Sequence, residues 1–282
     1  MARPSALTGV KDPYKRAAIE CWTGDPCGAN VSDGAMGTRA YFQRLLDARS
    51  RYAPWLASAL GYTDTKGKRV LDVGSGQGID LAHFALEGAR AVGIDLTPRH
   101  VELTRAHLAA LSLEAETLIA DAERLPFRDQ AFDWISSNGV LHHTPDIRAA
   151  LREIRRVLRP GGEIRVVLYN RSSVHYWIGQ VVIRGILQGR LLRSRSMADV
   201  LSDGVEHSRS GGRPLVRVYS PAKVAQLLRE AGLHGVHVEV RHLGSERLAG
   251  VLERLAGVAR AREIIERAGR IAGWYIVARG VA

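Results

Sequence analysis

The chain has 282 residues, of which 46% are apolar and 24% charged, a composition typical of a folded globular protein rather than a disordered one. Its two cysteines, Cys21 and Cys27, have no second pair, which excludes a zinc module or a secreted disulfide framework. The N-terminus lacks an apolar leader, and no apolar run approaches the ~20 residues of a membrane span. The sequence therefore predicts a cytoplasmic protein.

The net charge of +11 is concentrated late in the chain: residues 1–66 carry +3, residues 67–170 carry −1 and residues 171–282 carry +9. Two interpretations stay open. A coding bias toward arginine would produce a solvated basic surface, whereas an anionic substrate or a nucleic acid would require a basic patch.

Strand and helix patterns alternate between residues 67 and 170, as in a parallel sheet with helices on both faces. The predicted strands are 69–73, 91–95, 116–120, 132–137 and 163–169, with helices over 78–86, 98–111 and 147–158. Later elements are a helix capped by Ser220 and two closing strands at 236–241 and 274–279. The order predicts a doubly wound α/β fold.

Additions flank this sheet. Residues 1–66 predict a helical cap, with a helical pattern over 38–60, and residues 67–282 form the main domain. A lid-like insertion at 171–218 would lie over the carboxyl edge of the sheet. Within it the apolar segment 174–192 predicts a helix, which is a lid, a dimer contact or a membrane-surface helix.

A glycine-rich loop, Asp72-Val-Gly-Ser-Gly-Gln-Gly, follows the first strand. The dinucleotide pattern G-x-G-x-x-G is absent, because Ile79 occupies its third glycine position. The Asp72 carboxylate would repel a pyrophosphate and attract an ammonium group. The loop therefore favours a cofactor with an amino-acid tail and no phosphate.

Two further acids stand at strand ends. Asp95 ends the second strand, where a carboxylate commonly accepts hydrogen bonds from ribose hydroxyls. Asp121, followed by Ala122, ends the third strand and is placed for an adenine amine. The alternative is that each acid only caps the following helix. Together the three acids favour a cofactor made of adenosine and an aminoacyl cation.

The motifs Val70-Leu-Asp-Val-Gly-Ser-Gly-Gln-Gly, Val92-Gly-Ile-Asp-Leu-Thr, Asp121-Ala-Glu-Arg-Leu-Pro-Phe and Leu158-Arg-Pro-Gly-Gly-Glu resemble those of class I S-adenosylmethionine-dependent methyltransferases. The pattern is most similar to the small-molecule, type 11 branch that includes the ubiquinone and menaquinone C-methylases. The resemblance implies a seven-stranded Rossmann-like sheet with an antiparallel last strand, S-adenosylmethionine as cofactor, and no metal. The cofactor contacts that it implies are Asp72, Gly74, Ser75, Gly76, Gly78, Asp95, Leu96, Asp121, Ala122 and Asn138.

The resemblance also places His142 and His143 beside the acceptor, where an imidazole is suited to deprotonate an alcohol, phenol or ammonium. The alternative is that both histidines pack or cap the loop. Tyr14, Trp22, Tyr169 and Asn170 are further candidates for the acceptor pocket, with a small satellite core and loop hydrogen bonds as the alternatives.

An anionic acceptor would be attracted by arginines at the pocket mouth. The candidates are Arg171, Arg184, Arg193, Arg195, Arg213 and Arg217.

Three functions compete. The leading one is a methyltransferase for a small acceptor, anionic or lipophilic, working as a monomer or homodimer. A nucleic-acid methyltransferase would use the basic C-terminal part, but the fourth strand lacks an Asn-Pro-Pro-Tyr type of loop and no RNA-binding module is visible. A non-catalytic scaffold would have no reason to keep the glycines and all three acids.

Overall fold

The computed structural model describes residues 10–29, 35–194, 196–205, 213–243, 254 and 257–282. Its central sheet consists of β1 (Arg69–Val73), β2 (Arg90–Asp95), β3 (Glu116–Ile119), β4 (Phe132–Asn138), β5 (Leu158–Tyr169), β6 (His234–Arg241) and β7 (Tyr275–Val281). The strand order is β3-β2-β1-β4-β5-β7-β6, with β7 antiparallel to both neighbours and the other pairs parallel. The predicted fold class is confirmed.

The order of the strands locates a crevice. From β1 the chain moves outward to β2 and β3 on one side, and then returns to β4 on the other. Loops that leave β1 and β4 therefore diverge at the carboxyl edge of the sheet, which is where open α/β sheets bind their ligands.

Helices cover both faces of the sheet and its carboxyl edge. They are α1 (Pro13–Gly24), α2 (Arg39–Tyr52), α3 (Leu56–Leu60), α4 (Ile79–Leu86), α5 (Pro98–Leu111), α6 (Ile147–Val157), α7 (Arg190–Arg193), α8 (Met197–Val205), α9 (Pro221–Glu230) and α10 (Val258–Ala272), with a π-helix at His175–Leu187. Ser220 caps α9 as predicted, because its side chain accepts a hydrogen bond from the Lys223 amide at 3.2 Å. None of the described helices is long and apolar enough to cross a membrane.

The N-terminal helices differ from the sequence prediction in one respect. The pattern over 38–60 is two helices, because the chain turns at Ala53, Pro54 and Trp55 before α3 begins. The buried side of α2, formed by Tyr41, Phe42, Leu45 and Leu46, packs against Ile79 and the inner side of α5. This packing holds α2 beside the loop that follows β1.

The segment after β5 packs on the sheet through a separate small core. Tyr176 of the π-helix clusters with Leu201, Val216 and Trp274. The chain then returns beside β5, where the Tyr219 amide donates to the Tyr169 carbonyl at 2.9 Å. The predicted single helix over 174–192 is interrupted, since the π-helix ends at Leu187 and Gly189 precedes α7 with a φ of 65°.

Candidate active site

A cavity of about 290 Å³ opens at the carboxyl edge of the sheet. Its walls come from the loops after β1, β2, β3 and β4 and from the N-terminal helices. The predicted site residues that line it are Trp22, Gly74, Ser75, Gly76, Asp95, Leu96, Asp121, Ala122, Asn138, His143 and Tyr169. The topology therefore brings most of the predicted residues together.

The loop after β1 lies at the floor of the cavity and is fixed by backbone hydrogen bonds. The amides of Gly74 and Ser75 both donate to the Ile94 carbonyl, at 2.7 and 2.9 Å. A Cβ atom at Gly74 would come within 2.2 Å of Val140, whereas one at Gly76 would meet nothing within 4 Å. Gly76, with a φ of 55°, thus presents open backbone to the cavity.

Gly78 has a different role from the one expected. It is absent from the cavity wall, and a Cβ atom there would approach Thr104 to 2.8 Å. The expected cofactor contact at Gly78 is therefore corrected. Gly78 immediately precedes α4 with a φ of 78°, and its lack of a side chain permits close packing against Thr104 of α5.

Asp95 is held by several donors at the end of β2. Its Oδ1 accepts from the Thr97 amide at 2.8 Å, and its Oδ2 accepts from the Gly76 amide at 2.9 Å and from His100 at 3.1 Å. Burial alone would raise the pKa of Asp95, but the His100 ring and the two amides outweigh it and lower the pKa. A fixed carboxylate thus stands beside the loop.

Asp121 is bound by a residue of α1. Lys15 Nζ lies 2.6 Å from Asp121 Oδ2 and 2.5 Å from Glu123 Oε2. Burial alone would lower the pKa of Lys15, but hydrogen bonds and attraction from the two carboxylates outweigh it and raise the pKa. Helix α1 is thereby tied to the end of β3.

Asp72 lies behind the cavity wall and is only 1% exposed, so the expected direct contact with an ammonium group is corrected. Its Oδ2 has no hydrogen-bond partner in the described part of the chain. Burial, followed by repulsion from Asp80 and Asp95, raises the pKa of Asp72 well above its ordinary value. A cation that enters the cavity nearby would favour the ionised form of Asp72 and lower this pKa.

A polar network connects β4 with α4 at the cavity. Asn138 Nδ2 donates to Asp80 Oδ2 at 2.8 Å, while the Tyr62 hydroxyl donates to Asp80 Oδ1 at 2.6 Å. Asn138 is thus fixed at the cavity wall, and its predicted contact with the cofactor stays a prediction.

Arg49 of α2 is a cavity residue that the sequence analysis did not select. It lines the cavity, and its guanidinium makes no hydrogen bond or ion pair with another described residue. Burial would lower the pKa of Arg49, but attraction from Asp80 and other neighbours raises it. A guanidinium without a carboxylate partner at a cavity wall is suited to bind a carboxylate from a ligand. One arginine in the arginine-rich α2 carries no distinguishing sequence signal.

His143 also lines the cavity. Its Nδ1 is 2.6 Å from the Leu215 carbonyl, which only accepts, so Nδ1 carries the proton and Nε2 has the lone pair in the neutral ring. Trp22 packs edge-on against His143, with ring centres 5.0 Å apart. These two contacts fix the orientation of the imidazole.

His142 is fully buried and absent from the cavity wall, so its expected place beside the acceptor is corrected. Its ring packs on Tyr169 at 3.8 Å between centres, and neither nitrogen has a hydrogen-bond partner in the part of the chain that is described. Burial and then repulsion from His143 lower the pKa of His142 well below its ordinary value. His142 is a neutral packing residue.

Two of the four candidates for the acceptor pocket are also placed elsewhere. Tyr14 is half-exposed and does not line the cavity. Asn170 is fully buried; its Nδ2 donates to the Gly273 carbonyl at 2.8 Å and its Oδ1 accepts from the Ser172 amide. Trp22 and Tyr169 do line the cavity, together with three aromatic residues that the sequence analysis did not select: Tyr52, Trp55 and Tyr275.

None of the described arginines expected at the pocket mouth lines the cavity. Arg217 comes nearest, since it donates to the Pro145 carbonyl at 2.6 Å, and Arg184 instead donates to the Asp203 carbonyl. Arg213 lies 3.8 Å from Asp203, whereas Arg195 lies outside the described residues. The expected ring of arginines around the mouth is therefore corrected.

The site fits S-adenosylmethionine. Gly76 and Gly139 leave open space where side chains would otherwise stand, and the buried Ser75 Oγ has no hydrogen-bond partner in the described part of the chain. Asp95 and Asp121 offer acceptors for the adenosine, while Asp80 and Arg49 offer opposite charges for the ammonium and carboxylate of the amino-acid tail.

Comparisons with known proteins agree with this geometry. Residues 71–166 match the methyltransferase domain family. A ubiquinone biosynthesis O-methyltransferase of Xanthomonas oryzae is 29% identical over 171 residues, or 60% of this chain and 64% of the relative, so the match spans just under two thirds of that relative's length. An uncharacterized protein of Mycobacterium tuberculosis is 39% identical over 114 residues, covering 40% of this chain and 41% of the relative.

A solved structure supports the fold over nearly the whole chain. A Haloferax volcanii chain, determined in complex with the Trm112 methyltransferase activator, superposes with a TM-score of 0.61 at 20% identity and covers 97% of this chain and 99% of its own length. Family match, sheet topology and cofactor cleft agree. Over residues 71–166 the chain is therefore similar to the methyltransferase domain family, and its seven-stranded sheet has the Rossmann-like fold of methyltransferases.

Proposed function

We propose that the chain transfers a methyl group from S-adenosylmethionine to a small-molecule acceptor bound at the aromatic end of the cavity. The observation that carries this proposal is that one cavity contains both the glycine loop and the aromatic end, which we define as Trp22, Tyr52, Trp55, Tyr169 and Tyr275. In-line displacement requires aligned reactants, and a cofactor and an acceptor that occupy one cavity can be held in such an alignment.

Residues at the floor would hold the cofactor, which supplies an electrophilic methyl group when bound. Arg49 would pair with its carboxylate, and Asp80, already fixed by Asn138 and Tyr62, would attract its ammonium group. Asp95 would accept from the ribose hydroxyls and Asp121 from the adenine amine. The burial of these acids strengthens each interaction.

His143 would accept a proton from the acceptor. Its Nδ1–H bond to Leu215 directs the lone pair of Nε2 away from that anchor, and Trp22 restricts the rotation of the ring. A positioned base is needed only for an acceptor atom that carries a hydrogen. An alcohol, phenol or ammonium acceptor meets this condition.

The aromatic end supports a flat acceptor. Tyr169 and Tyr275 lie 5.9 Å apart between ring centres, and Trp55 lies 5.7 Å from Tyr275, so rings form one side of the cavity. The relative from Xanthomonas oryzae is named a ubiquinone biosynthesis O-methyltransferase, which agrees with an aromatic hydroxyl as the reacting group.

We further propose that the N-terminal helices close the cavity as a cap. Three contacts support this: Lys15 binds Asp121, the Gln77 side chain donates to the Cys27 carbonyl at 2.7 Å, and the Cys27 amide donates to His100 at 3.3 Å. The cap would exclude water during the reaction and would admit only a small acceptor.

The test has two stages. Calorimetry should detect S-adenosylmethionine binding to the full chain, and Asp95→Ala should weaken it strongly. A screen with radiolabelled methyl groups, offering catechols, simple phenols, amines and RNA, should then label phenols before the others. Binding without labelling of any acceptor would refute the enzymatic proposal, while preferential labelling of RNA would favour the basic nucleic-acid alternative.

A further inference from the structure

The segment after β5 exposes an extensive apolar surface. We define the apolar face as Val174, Trp177, Ile178, Val182, Ile183, Ile186, Leu187, Leu191 and Leu192, all of them exposed. Leu192 is 92% exposed, Leu187 74% and Ile186 60%. Single exposed apolar residues are ordinary, but a contiguous group of this kind marks a surface that binds another surface.

The pattern of exposure makes this surface one side of a helix. Val174, Ile178, Val182 and Leu187 recur at intervals of four or five residues, which suits the wide turn of the π-helix, and Leu191 and Leu192 follow on α7 after the break at Gly189. Tyr176 and Gln180 occupy the opposite side and are buried. The π-helix thus packs on the protein by one side and presents the apolar face to the outside.

Charge distinguishes among the surfaces that could cover this face. From Arg171 to Ala198 the sequence contains five arginines and no aspartate or glutamate. Arg190 pairs with Asp203 of α8 at 2.9 Å, while Arg171 and Arg193 are exposed and make no ion pair with another described residue. Apolar side chains bordered by unpaired arginines form an amphipathic, basic surface.

We propose that the apolar face binds the surface of an anionic lipid bilayer. Tryptophan, isoleucine and leucine on one side of a helix with arginine at its border are typical of helices that lie in the headgroup region. A second copy of the chain is disfavoured, because a symmetric contact would place these arginines against one another without acids. The face therefore fits a partner with negatively charged groups at its surface and an apolar interior, as in an anionic bilayer.

The position of the face in the fold agrees with this partner. Tyr176 clusters with Trp274, and Trp274 stacks on Tyr169 with ring centres 4.5 Å apart. Tyr169 in turn lines the cavity. The apolar face and the aromatic end of the cavity are therefore connected through the packed side chains of Tyr176, Trp274 and Tyr169. A bilayer bound to the face would lie close to the aromatic end. The vesicle experiments below use neither cofactor nor acceptor, so they do not depend on the proposed function.

Vesicle sedimentation of the full chain tests the proposal. Vesicles of phosphatidylcholine and phosphatidylglycerol should retain the protein at least about tenfold better than vesicles of phosphatidylcholine alone, and salt should reduce the difference. Arg193→Glu should weaken retention about 25-fold, at roughly fivefold per charge near the surface. Arg260→Glu on α10 is the matched control and should have little effect. Equal retention on both vesicles, or none on either, would overturn the proposal.

The apolar part is tested separately. Trp177→Ser combined with Ile186→Ser should reduce retention at least about tenfold, whereas Ile271→Ser, at an 81% exposed position of α10, should not. Brominated acyl chains should quench Trp177 fluorescence, and Trp177→Phe should remove the quenching while it keeps the binding. A dimer in solution that Ile186→Ser dissociates would show instead that a second copy covers the face.

Discussion

Lys15 Nζ lies 2.6 Å from Asp121 Oδ2, so a residue 106 positions earlier in the chain holds the acid that follows β3. The same ammonium contacts Glu123 at 2.5 Å, and both lysine and Glu123 side chains are only 14% exposed. Because Lys15 and Glu123 are largely screened from water, removal of the lysine would leave a poorly solvated carboxylate without its partner. The proposed cap would thereby be attached to Asp121, the proposed acceptor for the adenine amine.

Replacement of this lysine should loosen the cap. In Lys15→Met, Asp121 and Glu123 would remain as adjacent carboxylates without a cation, and α1 would lose its main polar attachment. We expect faster hydrogen exchange of the α1 amides and a Kd for S-adenosylmethionine raised about tenfold. Exchange mass spectrometry and calorimetry would measure both. Lys11→Met, an exposed lysine just before α1, is the control, and unchanged exchange in Lys15→Met would contradict the attachment.

The sequence predicted the sheet and most of the residues that line the floor of the cavity, because those features depend on local pattern. Strands with buried apolar runs alternate with helices, and Asp95 and Asp121 are recognised by their place at strand ends. Arg49, Tyr52 and Tyr275 could not be selected in this way. They reach the cavity from α2, which packs on α5, and from β7, which pairs with β5, so only the tertiary structure brings these distant segments together.

The errors in the predicted site have a common cause. His142 and His143 are adjacent in sequence, yet a short 3₁₀ turn at Leu141–His143 directs one ring into the core and the other into the cavity. Asn170 follows the same strand as Tyr169 but turns inward to satisfy the Gly273 carbonyl. The direction of each side chain in such a turn depends on the backbone dihedral angles, which residue type alone does not determine.

A comparison of alanine variants at Gly76 and Gly161 distinguishes the effect of backbone strain from the effect of a lost cofactor contact. Both have positive φ, 55° and 75°, and neither would bring a new Cβ atom within 4 Å of another atom. Alanine at either position should cost ~1–2 kcal/mol of stability from the left-handed conformation. Only Gly76→Ala should also weaken S-adenosylmethionine binding, by at least about tenfold, because Gly161 lies away from the cavity. Denaturant titration and calorimetry provide the comparison, and equal affinities in the two variants would remove the loop from the site.

Arg49→Met should weaken binding of ligands that carry the amino-acid tail. Loss of a charge-assisted hydrogen bond costs about 1.5–3 kcal/mol, so the Kd for S-adenosylhomocysteine should rise about 10- to 100-fold. Methylthioadenosine lacks the carboxylate and should bind wild type and variant alike, which also reports that the fold is intact. Arg51→Met on the same helix is the matched control. A parallel loss of methylthioadenosine affinity would indicate that Arg49 has only a structural role.

His143→Ala should reduce turnover about a hundredfold and leave cofactor affinity nearly unchanged, because the lost group acts on the acceptor proton. Added imidazole should restore part of the rate, since it can occupy the space beside Trp22. The exposed His237 of β6 supplies the control variant His237→Ala, which should behave as wild type. Full activity of His143→Ala toward a phenolic acceptor would exclude the proposed base.

His142 should make the folded protein sensitive to acid. Its pKa is lowered by burial and by repulsion from His143, so below about pH 6.5 the unfolded chain binds a proton that the folded chain does not. The contribution of His142 to the free energy of unfolding is thus fully present above that pH. It decreases as the pH falls, by at most about 1.4 kcal/mol at pH 5.5.

His142→Phe keeps a ring against Tyr169 and removes the titrating group. Urea unfolding between pH 7.5 and 5.5 should therefore show a shallower loss of stability in this variant than in wild type, whatever its stability at pH 7.5. His83, His107 and His175, whose pKa values burial also lowers, remain in both proteins, so the difference isolates His142. His237→Phe at an exposed site should keep the wild-type slope. Identical slopes for His142→Phe and wild type would mean that His142 is protonated in the folded protein, contrary to its burial without a hydrogen-bond partner in the described part of the chain.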